Sequence, residues 1–373
     1  MLDLRDIPAI DQHAHNLLHP AAVARRPYTD AFTEGYESDI VSYHARYSLF
    51  YRRSLRDIAE LLECEPDEAA IFGRRAQLGL EQLSQRCFEA ANLETVFLDD
   101  GFLAADVLPT AWHERFVPVR RLLRLEYLAE ILFGELNDFD AFLEGFSSAI
   151  DPPPPEVVAL KSIVAYRTGL DVQLTPRAVA ESRFYALKQQ TTERSQRLAD
   201  KPLIDFLLTQ ALEIASKHRL PVQFHTGFGD PDLDLRLANP LYLRSLLEDP
   251  RFRHAPIVLL HASYPYTREA GYLASVYPQV YLDCGLAVPF LSVAGMRGVM
   301  RQLLELAPTS KLLYSSDAHN IPELYYLGAK WGRKVLAQVL DEAIADSDLT
   351  TTEAESIAVA ILSGNARKLH HLA

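Results

Sequence analysis

The 373-residue sequence contains only three cysteines, Cys64, Cys87 and Cys284, far apart and odd in number. That usage argues against a disulfide framework and suggests a reducing compartment. No apolar run is long enough to span a bilayer, so a membrane helix is not expected. The N-terminus, MLDLRDIPAIDQHAHN, carries charge at once and lacks the apolar stretch of a signal peptide. A cytoplasmic protein is therefore the expectation. Positive charge is also in deficit: 37 Lys and Arg stand against 50 Asp and Glu, a net charge of −13. Such a balance offers no basic footprint for nucleic acid and no attraction to an anionic membrane. Repeats, low-complexity tracts and an evident interdomain linker are missing as well.

What is present is an ordinary globular composition, 49% hydrophobic and 23% charged, in a chain long enough to bury a large core. Eight short β-like runs can be marked, at residues 7–10, 95–98, 117–125, 157–163, 222–224, 257–260, 280–282 and 311–314, with helical pattern between them. Short apolar runs alternating with helices predict a parallel sheet covered on both faces. Eight of them predict an α/β fold of the closed (β/α)8 barrel type, with residues 1–373 as one domain. The third run, VRRLLRLE, is polar for a buried strand. Residues 17–94 form a long helical insertion after the first strand, either a lid over the site or a hairpin packed beside the barrel. The stretch DPPPP at 151–155 disfavours helix and should deliver the chain into the fourth strand. Amphipathic helices are expected at 202–217, 329–344 and 352–369.

Five of the runs end in residues able to hold a metal ion. The first leads into Asp11, His13 and His15; others end at Lys161, His225 and His261, and the last leads through two serines to Asp317. A residue just past a buried strand sits at the carboxyl edge of the sheet, where α/β folds place their chemistry. In an extended segment His13 and His15 face the same way and can reach one ion. Asp11 is better placed to orient the site than to bind. Asp317 could ligate metal and accept a proton from attacking water, or merely cap the helix that follows. Lys161 is ambiguous. Buried beside a cation it must be neutral, turned toward an anionic substrate group, or converted with carbon dioxide to a carbamate that bridges two ions. The remaining histidines, including His19, His44, His113, His218, His254, His370 and His371, lack the strand-end context and are read as surface or packing residues.

Five segments carry a family resemblance over almost the whole chain: IDQHAHN at 10–16, LKSIVAYRTGL at 160–170, FHTGFGD at 224–230, LLHASYPY at 259–266 and YSSDAH at 314–319. Together they resemble the amidohydrolase superfamily, specifically the amidohydrolase-2 branch that includes the N-terminal domain of FluG-type proteins. The resemblance implies a distorted barrel with one or two divalent ions at its carboxyl end. It assigns His13, His15, His225, His261 and Asp317 as ligands and Lys161 as the position of a carboxylated lysine. Zinc suits the imidazole-rich set, with manganese or iron as alternatives. Tyr166 and Arg167 are candidates to meet a substrate carboxylate or carbonyl, and Arg124 and His319 are further substrate candidates. Adenosine-deaminase-type relatives carry a glutamate three residues after the fifth-strand histidine, where this chain has Phe228, so that purine chemistry is not expected. FluG-like segments also occur fused to a glutamine-synthetase-like domain, which residues 1–373 do not contain.

The expected activity is hydrolysis of a C–N bond in a small, carboxylate-bearing amide such as a γ-glutamyl amide. Metal-activated water attacks, Asp317 shuttles the proton, and His261 or His225 helps to polarise the carbonyl. Two alternatives stand beside it: non-oxidative decarboxylation with a single ion, and a non-catalytic barrel used as a binding module. The expected partner is a small molecule, and self-association into a homo-oligomer stays open.

Overall fold

A computed structural model describes residues 2–190 and 197–372. Eight parallel strands follow in chain order, each paired with the next. They are β1 (Ala9–Ala14), β2 (Leu93–Asp99), β3 (Val119–Arg124), β4 (Val157–Ser162), β5 (Val222–Phe224), β6 (Ile257–Leu259), β7 (Val280–Asp283) and β8 (Leu312–Leu313). The amide of Gln12 donates to Tyr314 O at 3.3 Å and that of Asp317 to His13 O at 3.0 Å, so the last segment returns to the first. The fold is a (β/α)8 barrel with a helical insertion after its first strand.

Its interior is filled by side chains from successive strands. Ile10, Phe97, Leu122, Ala159, Val258 and Leu313 form one buried cluster, closed by Ala366 and Leu369 of the C-terminal helix. Such a packed interior is characteristic of barrels of this size. It also explains the polar third strand: Leu122 and Leu123 are buried, whereas Arg120 is exposed and Arg121 pairs with Asp100 at 3.0 Å. Helices pack around the outside, among them Lys201–His218, and Glu323–Ala345 and Thr351–Val359 near the C-terminus. The expected 352–369 helix is interrupted by a wider turn over Ala360–Gly364, after which Asn365–Leu369 runs on to the barrel floor. No helix among the described residues is long and apolar enough to cross a membrane.

The first strand departs from the expected pattern. The sequence places its end at residue 10, yet β1 continues to Ala14, so His13 lies within the strand. Pairing with β2 slips between Asp11, opposite Val96, and Ala14, opposite Leu98. Three steps on β1 thus match two on β2, the signature of a bulge, which re-aims side chains near active sites. Here it lets two consecutive residues, Gln12 and His13, both reach Gln223 on β5.

The connection from β1 to β2 divides its work. Helices Leu49–Leu62 and Glu68–Ala91 are capped by Ser48 and Asp67. They bury Ile58, Leu62, Ile71 and Phe88 in one cluster with Leu324 and Tyr325 of the helix Glu323–Ala345. Before them, residues 30–36 reach the carboxyl end of the barrel.

The root of this connection rests on His113, whose Nε2 accepts from the Leu17 amide at 3.0 Å while Nδ1 faces Pro109 O at 3.2 Å. Burial lowers its pKa from 6.5 to about 4. A depressed histidine contributes stability that is complete above pH 6.5 and is lost as pH falls through 4. That contribution is on the order of 3 kcal/mol. In His113→Gln, whose amide takes up no proton in that window, the loss of thermal stability between pH 6.5 and 4 is expected to flatten. A profile identical to wild type would remove His113 from this account.

Candidate metal centre and active site

The residues singled out at strand ends converge on one cavity of about 370 Å³ at the carboxyl end of the barrel. His13, His15, Lys161, Tyr166, Arg167, Arg124, His225, His261, Asp317 and His319 all line it. His13 and Lys161 lie near the ends of β1 and β4, His225 directly follows β5, and His261 and Asp317 stand in the loops after β6 and β8.

At its base the ring Nε2 atoms of His13 and His15 lie 3.1 and 3.2 Å from Asp317 Oδ1, and His261 Nδ1 lies 3.8 Å from Asp317 Oδ2. His13 Nδ1 faces Gln223 Oε1 at 2.9 Å, and His15 Nδ1 faces the Asp99 carbonyl at 3.2 Å. Both partners are acceptors, so each Nδ1 carries the hydrogen and each Nε2 is left as a lone pair. Three electron-pair donors therefore face one another in a buried space. Among the described residues Asp317 Oδ1 and His261 Nδ1 have no hydrogen-bond partner. Buried polar atoms without partners are costly, and a cation between them would satisfy the set.

Protonation fits the same reading. Burial, with Lys161 nearby, lowers His13 to about 4, and burial drives His225 and His261 well below the usual imidazole range. Neutral imidazole is the ligating form. Burial opposes the charge of the Asp317 carboxylate, and His261, His13 and His15 hold it well below the ordinary carboxylate range only as imidazolium; with those rings neutral, a bound cation is what would keep it ionised. His13, His261 and Asp317 offer ligand atoms within 4.8 Å of one another. This nitrogen- and carboxylate-donor set fits a divalent transition metal.

The other expected ligands stand around that trio. Lys161 is buried on β4 with Nζ 3.4 Å from His13 Nε2. Burial lowers its pKa to about 8 despite the opposing pull of Asp99 and Asp317. His225 packs its ring on His261, centroids 4.5 Å apart, and its Nε2 meets Phe228 O at 3.1 Å. Gly227 lets this turn lie against the loop after β6: its φ is +72°, and a Cβ would lie 2.3 Å from Tyr264 O. His261 and Asp317 themselves sit at φ +65° and +55°, conformations that concentrate at functional sites.

Among the substrate candidates, Tyr166 packs against His225 with ring centroids 4.5 Å apart and planes tilted by 57°. Arg167 donates through Nη2 to Glu130 at 3.1 Å, while its buried Nε has no partner among the described residues. Arg124 is committed differently: Nε and Nη2 both bond Asp99, the latter at 2.6 Å. His319 sits over the site with Nδ1 3.1 Å from Asp317 O. Asp317 caps no helix, because the position before Glu323–Ala345 is Pro322.

Several site residues escape a reading of isolated runs. Asp283 accepts from the His261 amide at 2.6 Å and from Gln12 Nε2 at 2.9 Å, and it also bonds Ser315, so one carboxylate ties together β1, β6 and the β8 end. Asp11, expected from its place in the sequence to orient the site, does the same for the β8 loop, accepting from Ser316 N at 2.9 Å and Ser316 Oγ at 2.5 Å. Gln223 orients His13. Asp99 and Asp283 each end a strand, a signal equal to that of the histidines; Glu34, in the insertion, has no such signal.

Comparison with known proteins agrees with this geometry. The sequence pattern of the amidohydrolase family (Amidohydro_2) matches residues 172–372. The FluG protein of Emericella nidulans is 34% identical over 401 aligned residues, covering 98% of this chain and 46% of FluG, so the chain spans about half the length of that relative. A Lactobacillus casei protein assigned as a metal-dependent hydrolase superposes with a TM-score of 0.87 at 30% identity, over 99% of this chain and 96% of that one. A uronate isomerase from Thermotoga maritima shares the fold, with a TM-score of 0.69 at 15% identity over 98% and 95% of the two chains. The chain belongs to the amidohydrolase-2 family of metal-dependent hydrolases.

Proposed function

We propose that the enzyme hydrolyses the C–N bond of a small amide bearing a carboxylate, with a γ-glutamyl amide as the model substrate. The observation that carries this reading is the meeting of two imidazole lone pairs and an ionised, unpartnered carboxylate at the base of a cavity. His13, His261 and Asp317 would hold a divalent ion, zinc first by ligand type, with His15, His225 and Lys161 as further ligands. Bound there, the ion supplies Lewis acidity and brings the pKa of water toward about 7. Asp317 then takes the proton of the attacking water and returns it to the departing nitrogen. His261, whose Nδ1 faces the same point, aligns the carbonyl, and the free Nε of Arg167 with the Tyr166 hydroxyl holds the substrate carboxylate.

Lys161 decides the number of ions. A pKa near 8 leaves a fraction of the amine neutral at physiological pH, the form that reacts with carbon dioxide to give a bridging carbamate. Residues 1–373 are read as one barrel domain, with residues 30–36 as the wall of the site. The free Cys64, Cys87 and Cys284 support a reducing, cytoplasmic setting.

The test combines metal analysis of protein purified without added metal or chelator with turnover of γ-glutamyl amides. Amine release and at least one ion per chain are expected. Two ions with a carbamate mass on Lys161 would assign the bridged form. Release of carbon dioxide from aryl carboxylates, without amide cleavage, would replace hydrolysis by decarboxylation.

A further inference from the structure

Counted with the partners that stand behind the lining, Asp99 and Glu130, the charges around the cavity do not cancel. Each arginine there has a carboxylate of its own: Arg26 with Asp30, Arg124 with Asp99, Arg167 with Glu130 and Arg197 with Asp232. Asp317 belongs to the metal cluster, near Lys161. Two acids are left over, Glu34 from the insertion and Asp230 from the loop after β5. Among the described residues Glu34 has no hydrogen bond or ion pair, and the side chain of Asp230 accepts only from the Asp232 amide, at 2.9 Å. Burial, then Asp317 and Asp230, push the Glu34 carboxyl up to about 8. Burial also raises Asp230, which feels Arg197 and Arg167 close by.

With no cation of its own, Glu34 stays largely protonated at neutral pH, and a cationic ligand would take the place of that proton. The insertion is held in place over the site, since Tyr36, two residues beyond Glu34, donates to Asp232 at 2.8 Å. Glu34 is therefore presented to the cavity by a tethered segment. Arg167 lines the same cavity, and its buried Nε has no partner among the described residues.

We infer that the substrate carries an ammonium group beside its carboxylate, and that Glu34, assisted by Asp230, is the residue that binds it. The substrate class is then an amide of an α-amino acid, with the carboxylate at Arg167 and the ammonium at Glu34. This rests on the amide-hydrolase reading for the carboxylate and the scissile bond. The ammonium subsite is the added claim.

Calorimetry on the metal-loaded enzyme with L-glutamate and with glutarate isolates that subsite. The two ligands differ only by the amine, and neither has an amide to cleave. Wild type is expected to bind L-glutamate at least about tenfold more tightly than glutarate, the scale of one charge-assisted hydrogen bond. In Glu34→Gln, an isosteric change, the ratio should fall to within about twofold while glutarate binding holds. Asp230→Asn should lower the ratio in part, and it carries the test if Glu34→Gln does not fold. Equal binding of both ligands by wild type, or an unchanged ratio in both variants, would overturn the inference. If γ-glutamyl amides are turned over and the ratio is still insensitive, only the ammonium subsite falls. If neither ligand binds and no amide is cleaved, the subsite and the hydrolase reading fall together.

Discussion

Asp317→Asn is expected to lower kcat by about a thousandfold or more, within the range contributed by a positioned acid–base group. The change keeps the size of the side chain and removes its basicity. It is also gentle on the backbone, because Asp317 sits at φ +55° and asparagine tolerates that region as aspartate does. The tether from the Asp317 amide to His13 O, 3.0 Å, does not involve the side chain and should survive. The fold and part of the metal content should therefore persist while turnover disappears. Steady-state kinetics with metal analysis on the same preparation read both. Wild-type turnover in the variant would show that another group handles the proton, with His261 the next candidate.

Removing the metal should have an effect of comparable size on activity and a second one on stability. Without a cation, two imidazole lone pairs and a carboxylate oxygen stand 3.1 and 3.2 Å apart in a buried space. Dialysis against a strong chelator is expected to abolish turnover and to lower Tm by several degrees, since a ligand present at a thousand times its Kd stabilises by about 4 kcal/mol. Zinc, manganese or ferrous iron added back in stoichiometric amount should restore both, and the ion that does so best identifies the working metal. A chelated protein with full activity and an unmoved Tm would remove the metal from the proposal.

Both effects trace to residues that were visible in the sequence. His13, His15, Lys161, His225, His261 and Asp317 each follow or end a short apolar run, and a run of that kind stops within a few residues of where a buried strand stops. Their arrival in one cavity needed only the knowledge that parallel strands present their carboxyl ends to the same face. The order of the eight strands was legible for the same reason, including the polar third strand, in which Val119, Leu122 and Leu123 supply the buried residues.

The sequence alone determined the barrel, the face that carries the chemistry and the residue types gathered on it, because each depends on contacts within a few residues of chain. Only the tertiary structure decided how those residues are held. The bulge in β1 that turns both Gln12 and His13 toward Gln223 arises from pairing with β2. Asp283 clamps His261 from a neighbouring strand, and Asp99 claims two nitrogens of Arg124, a residue the sequence offered to the substrate. Glu34 reaches the cavity from an insertion with no strand-end signal. Each of these depends on which segment lies opposite, a relation between residues far apart in the chain that no local pattern encodes.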